Sequence, residues 1–211
     1  MRISITDYAV GAALAGDLAN TSPTVRTMAG EALPTPEALS RFLAERGLRL
    51  DALADGQVDG RADGRLPTGD DVREVQLLRR EARGVVETET EEQAVAGAAV
   101  LAGRAGLSPV LDRDAGGRWQ WYVPTAPGAS LAEELAAVIG VGLLGAVRAL
   151  GHGRFRACVA PGCRGVFVDT SRGGRRVYCM PELCGNRLNV ANHRARNRLP
   201  VRTEGDLHAR P

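Results

Sequence analysis

The stretch SLAEELAAVIGVGLLGAVRALGHG, residues 130–153, is the point from which the rest of the chain can be read. Ser130 followed by Glu133 is a capping-box pattern, in which each side chain satisfies the other's backbone N–H. Behind it runs an apolar segment from Leu135 to Val147, closed by Glu134 and Arg148. Its thirteen residues are too few for a bilayer core, which needs about 20, so the segment predicts a buried helix over 131–150. Gly151-His152-Gly153 stops that helix and marks a boundary. Gly140, Gly142 and Gly145 spell G-x-G-x-x-G, but a dinucleotide fingerprint needs a strand before it and a helix opening at its end. These glycines lie inside a helix already capped ten residues earlier, so they predict the close approach of a neighbouring helix.

Composition is that of a globular protein. Hydrophobic residues make up 44% of the 211 and charged residues 25%, which argues against a disordered, collagenous or disulfide-dense chain. The N-terminus makes a poor signal peptide, with Arg2 as its only positive flank and Asp7 and Asp17 around a weak Ala/Gly stretch, so a cytoplasmic protein is expected. Aromatics at 4% are too few for base stacking to dominate any nucleic-acid contact. The net charge of +2 hides a division: residues 1–150 hold 15 arginines against 21 acids, residues 151–211 hold 12 against four. Such asymmetry predicts two units, 1–150 and 151–200, with a polar tail over 201–211, and a basic C-terminal part suited to a polyanion.

Within the first unit the pattern is mostly helical. Thr6 or Asp7 caps a helix through Leu14 and Leu18 that ends near Asn20, and Pro34-Thr35-Pro36 opens another that stops at Gly47. Residues 54–69 read as a loop; their Asp-Gly repeats at a spacing of four do not fit an EF-hand. Val72, Val75, Leu78, Ala82 and Val85 form the stripe of a helix over 70–86, with Arg73, Arg79, Arg80 and Arg83 largely off it. The Ala-rich segment 93–105 reads as a buried helix. Around Gly116-Gly117 the period changes, and Trp119, Trp121 and Val123 alternate as in a β-hairpin. The fold class is therefore α+β: a helical domain with a hairpin, then a small cysteine module.

All four cysteines fall in Cys158-x4-Cys163-x15-Cys179-x4-Cys184. Two short-spaced pairs joined by such a loop predict a tetrahedral zinc site, Pro161-Gly162 supplying the first knuckle turn. Four protein ligands leave no open position, so the site would be structural. Two disulfides, disfavoured in the cytoplasm, and four unrelated core cysteines are the competing readings. Between the pairs, Gly165–Val168 and Arg175–Tyr178 predict a hairpin, and the last ligand opens a helix over 183–198. A Zn(Cys)4 centre formally carries −2, which Arg156, Arg164 and Arg187 are placed in sequence to offset.

The segment RACVAPGCRGVFVDTSRGGRRVYCMPELCGNRLNVANHRARNR, residues 156–198, resembles a CGNR zinc finger, a family named for the tetrapeptide found here at 184–187. The spaced cysteines, Phe167, Asp169, Ser171-Arg172, Arg175-Arg176 and His193-Arg194-Ala195-Arg196 all agree in order. Tyr178 stands where that family more often has tryptophan. Leu14-Ala-Gly-Asp-Leu-Ala-Asn20-Thr21, Leu33-Pro-Thr-Pro36 and the Trp-bearing hairpin resemble the ABATE domain that usually precedes this finger. The resemblance implies a bacterial transcription regulator with a Zn2+ cofactor, and gives weight to Asp17, Asn20 and Thr21, though Asn20 also reads simply as a helix C-cap.

Two functions follow as expectations. Between 154 and 198 there are ten arginines and two acids, and arginine suits both phosphates and the guanine edge. On the last helix Asn186, Asn189, His193 and Arg196 share a polar stripe flanked by Arg187, Arg194 and Arg198. With Arg175 and Arg176, these are the candidate contacts to double-stranded DNA in the major groove. The alternative is a zinc-stabilised protein- or RNA-interaction module, its basic face docked on the acidic domain and its N-terminal domain binding an effector or forming a homodimer. An enzyme is not expected: there is no Ser/His/Asp order, no open metal site and no phosphate loop in context.

Overall fold

The computed structural model describes residues 1–26, 30–54 and 65–185. Its elements are β1 (Arg2–Ser4), α1 (Tyr8–Ala19), α2 (Pro36–Glu45), α3 (Gly69–Val86), α4 (Glu91–Ala102), β2 (Val110–Arg113), β3 (Trp119–Pro124), α5 (Leu131–Leu150), β4 (Phe155–Ala157) and β5 (Val166–Val168). This is an α+β fold. The Asp-Gly repeats over 55–64 lie outside the described residues.

α5 is the axis. Its capping box forms as expected: Glu133 N donates to Ser130 Oγ at 3.3 Å, and Ser130 N donates to the Glu133 carboxylate at 2.7 Å. α1 and α4 lie against it at backbone distance, because its glycines leave nothing in the way. A Cβ at Gly140 would overlap the Ala102 backbone, one at Gly142 the Gly11–Ala12 backbone, and one at Gly145 the Tyr8 side chain. Gly11 returns the contact, with the Val138 carbonyl where its Cβ would be. The letter-for-letter nucleotide motif is thus a packing surface.

α3 packs across α1 and α5 through the stripe read from sequence, with three additions: Asp71, Arg79 and Val86 are also buried. α4 is shorter and less enclosed than its alanines suggest. It buries Ala94, Ala98 and Leu101 and leaves Val95 and Val100 exposed, because only one face of an outer helix meets α5. The strands β1, β3 and β2 form an antiparallel sheet in that order, with Ile3 opposite Val123 and Leu111 opposite Trp121. Glu134, buried in the first turn of α5, accepts from Ala52 N at 3.1 Å and Thr125 Oγ1 at 3.2 Å, tying the sheet's end and a 3-10 turn to the axis. Among the described residues no helix is long and apolar enough to cross a membrane.

After Gly151 the chain makes the hairpin of β4 and β5, with Phe155 opposite Val168 and Ala157 opposite Val166. The sequence pattern pairs the β5 segment with 175–178, and the structure pairs it with β4 instead. The tight reversal at the first cysteine pair brings β4 alongside first, and the later arm is held by single bonds, such as Val159 N to Val177 O at 3.1 Å. Val166 and Val168 belong to the same hydrophobic core as α1, α3 and α5, so that core continues past Gly151.

Candidate metal centre

The first knuckle starts where β4 ends. Cys158 N donates to Gly165 O at 2.8 Å and Cys163 N to Ala160 O at 3.0 Å, while Gly162 takes φ of +70°, a conformation that favours glycine. The second knuckle opens a helix at Pro181, described through residue 185. Leu183 N and Cys184 N both donate to Met180 O, at 3.1 and 2.8 Å. The helix therefore begins three residues before the last ligand rather than at it, because proline suits a first helical turn.

These turns bring the four Sγ atoms within 4.8 Å of one another. Cys163–Cys179, Cys179–Cys184 and Cys163–Cys184 are separated by 3.6, 3.7 and 3.8 Å. A disulfide requires about 2.05 Å, so these are free thiols. A tetrahedron with metal–sulfur bonds of about 2.3 Å has edges of about 3.8 Å, and the three separations among Cys163, Cys179 and Cys184 fit it. Gly165 is required by the same crowding, since a Cβ there would overlap Cys179 Sγ. Its N–H points to Cys163 Sγ at 3.3 Å.

The electrostatics disfavour four thiolates side by side. Burial first, then the hydrogen bond and charges of the neighbouring sulfurs, push the Cys179 thiol far above its ordinary range. Burial pushes Cys184 up as well. For Cys158 burial acts upward, but backbone hydrogen bonds at Cys179 and Ala160 prevail and bring it below the ordinary thiol value. Four thiolates cannot share this space unless a positive ion offsets their repulsion.

The loop between the knuckles is organised by Asp169, which is fully buried. It accepts from Ser171 Oγ at 2.6 Å, Ser171 N and Arg176 N at 3.0 Å and the Arg156 guanidinium at 3.3 Å. Burial opposes its ionisation, yet the Ser171 and Arg176 bonds and the Arg154 charge hold its carboxyl below the usual range. Arg156 also donates to the carbonyls of Gly153, Gly174 and Arg176. Instead of offsetting the sulfurs, as its sequence position suggests, it braces this loop. Arg176 turns inward too, its guanidinium 4.7 Å from the Phe167 ring centroid and bonded to the carbonyls of Tyr178 and Cys179. Arg164, Arg172 and Arg175 are exposed. Asn186, Arg187, Asn189, His193, Arg194, Arg196 and Arg198 lie outside the described residues.

A further set of residues joins the module to the helices. Asn20 is the C-cap of α1, and its side chain does more than end the helix. Its Nδ2 donates to Val166 O at 2.7 Å and its Oδ1 accepts from Val166 N at 3.0 Å, so one amide completes the free edge of β5. Four residues earlier, a Cβ at Gly16 would stand 3.0 Å from Phe167 Cα. Asp17 pairs with Arg46 at 3.1 Å, and Thr21 Oγ1 donates to Leu18 O at 2.6 Å. Below them Arg79 grips Glu31 with two bonds of 2.6 Å. That pair escaped the sequence reading, although Arg79 stands seven residues from both Val72 and Val86, on the buried stripe itself.

Comparison with known families agrees with this geometry at both ends. Residues 154–197 match the family model of the CGNR zinc finger, which spans both knuckles and the β4–β5 hairpin. Residues 12–148 match the ABATE model, described as "Putative stress-induced transcription regulator". No curated protein matches the chain. The helical block around α5, followed by a four-cysteine cluster on two knuckles, places the chain in the ABATE family, with a CGNR zinc finger after the ABATE domain.

Proposed function

We propose that the protein is a transcription regulator that grips double-stranded DNA with the basic face of its cysteine module, and that Cys158, Cys163, Cys179 and Cys184 hold one structural Zn2+. Zinc bound there would supply a rigid cross-link between the knuckles, with four sulfur ligands and no open position for catalysis. The reading is accordingly non-enzymatic. The observation that carries the DNA assignment is the disposition of the arginines. Arg154, Arg156 and Arg176 are committed to Asp169 and backbone carbonyls, while Arg164, Arg172 and Arg175 are exposed and make no ion pair among the described residues. None of the module's arginines pairs with an acid of residues 1–150 among the described residues. The contact with the helical domain is instead made by apolar side chains and Asn20, which leaves Arg164, Arg172 and Arg175 for phosphates.

Zinc-loaded protein binding a random duplex, followed by fluorescence anisotropy across salt, tests this. Affinity should fall steeply as salt rises, and Arg175→Ala should flatten the log–log slope by about one contact. Absence of duplex binding at low salt overturns the reading. A second reading, a protein-interaction module, draws on the exposed Leu111, Trp119 and Trp121, which share one face of the β2–β3 hairpin.

A further inference from the structure

Asp17 and Thr21 also line a cleft of about 360 Å³ between α1, α2 and the cysteine module. Its other walls include Arg26, Arg41, Glu45 and Arg46, and Met180 closes it from the module's side. The acids in it already have partners. Glu31 is held by Arg79, and Arg46 lies 3.1 Å from Asp17 and 3.7 Å from Glu45 while covering the Phe42 ring at 3.7 Å. Arg26 and Arg41 line the same cleft, and among the described residues their side chains make no hydrogen bond or ion pair. Behind Glu31, the buried Arg79 keeps an Nε with no acceptor. The walls carry three arginines and three acids, and the buried Arg79 behind Glu31 adds one further positive charge. Two guanidinium forks, those of Arg26 and Arg41, have no partner among the described residues, and such forks match the paired oxygens of carboxylates and phosphates.

We propose that this cleft binds a small organic anion, a carboxylate or a phosphate ester, through Arg26 and Arg41, and that Met180 carries its presence to the metal-ligand segment. The volume lies at the lower end for ligand sites, which suits a metabolite rather than a polymer. Met180 is well placed for the second role. It lies between Cys179 and Pro181, and its carbonyl accepts both Leu183 N and Cys184 N, so a shift of Met180 moves the second knuckle.

The test uses the full, metal-loaded chain carrying 13C at its methionine methyls. Inorganic phosphate and succinate are titrated separately at constant ionic strength, one arm for each oxyanion. At least one should shift the Met180 methyl saturably and leave Met1, which sits by Thr125 and Asp51, unmoved. Arg41→Ala and Arg26→Ala should each raise the Kd about tenfold or more, as expected for a lost charge-assisted bond. Glu45→Gln, which removes a negative charge from the cleft wall and releases Arg46 from it, should lower the Kd. No saturable Met180 shift with either probe, or an unchanged Kd in both arginine variants, overturns the proposal. Neither arm uses nucleic acid, so the result is independent of DNA binding.

Discussion

Asn20→Ala is the most informative single change in this protein. The side chain is 5% exposed and Val166 1%, and the two bonds between them are 2.7 and 3.0 Å. Alanine would leave Val166 N–H and C=O buried without partners. Each such group costs about 1–3 kcal/mol, and partial relaxation brings the pair to about 2–4 kcal/mol. A domain of this size loses about 2–4 °C of melting temperature per kcal/mol, so a fall of roughly 5–15 °C is expected in calorimetry of the metal-loaded protein. Metal transfer to a chromogenic chelator should also quicken, because Val166 directly follows Gly165, whose N–H contacts Cys163 Sγ. Asp17→Ala is the control. It removes a partly exposed pair with Arg46 and should cost no more than about 1 kcal/mol. An Asn20→Ala variant melting within about 2 °C of the parent would refute the view that this amide joins helices and module.

Gly165→Ala should abolish stoichiometric metal binding, measured by elemental analysis, because the added methyl overlaps Cys179 Sγ; full retention would show that the knuckles yield. Chelation should lower the melting temperature of the helical circular-dichroism signal as well as unfold the module, since Val166 and Val168 lie in the shared core; an unchanged helix melt would refute the continuity of that core. Burial acts against Glu31, but its bonds and charge interaction with Arg79 prevail, so its folded pKa lies below the ordinary 4.5. Its contribution is complete above that value and is lost as pH falls through the lower folded one. Glu31→Gln should therefore cost about 3 kcal/mol near neutrality by stranding Arg79, and the gap in urea denaturation should narrow below pH 4.5; a pH-independent gap would exclude the ion pair as its source.

What could be read from sequence followed the range of the interaction. The Ser130 capping box, the apolar positions of the α3 stripe and the clustering of the four cysteines are short-range patterns, and each is found, although Arg79 joins the stripe it is expected to avoid. β1 gave no signal, because three residues are too few to alternate and Arg2–Ser4 becomes a strand only by pairing with β3. The partner of β5 is hidden for a related reason: an apolar triplet shows that a strand is present, but not which neighbour it pairs with. Arg79 and Asn20 were hidden by residue type. A buried arginine and a bridging amide read locally as surface and cap, and only the distant Glu31 and Val166 reveal their roles.

The glycines of α5 also determine how the molecule can deform. Helices held apart by interlocking side chains can slip by changing rotamers, but α1 and α4 meet α5 through backbone atoms at Gly140 and Gly142, where there are no rotamers to change. At those positions the three helices are therefore held in one register, with no side chain to adjust between them. The end of α1 nearest the cysteines, with Gly16 against Phe167 and Asn20 on Val166, extends the same backbone-to-backbone fit into the cysteine module.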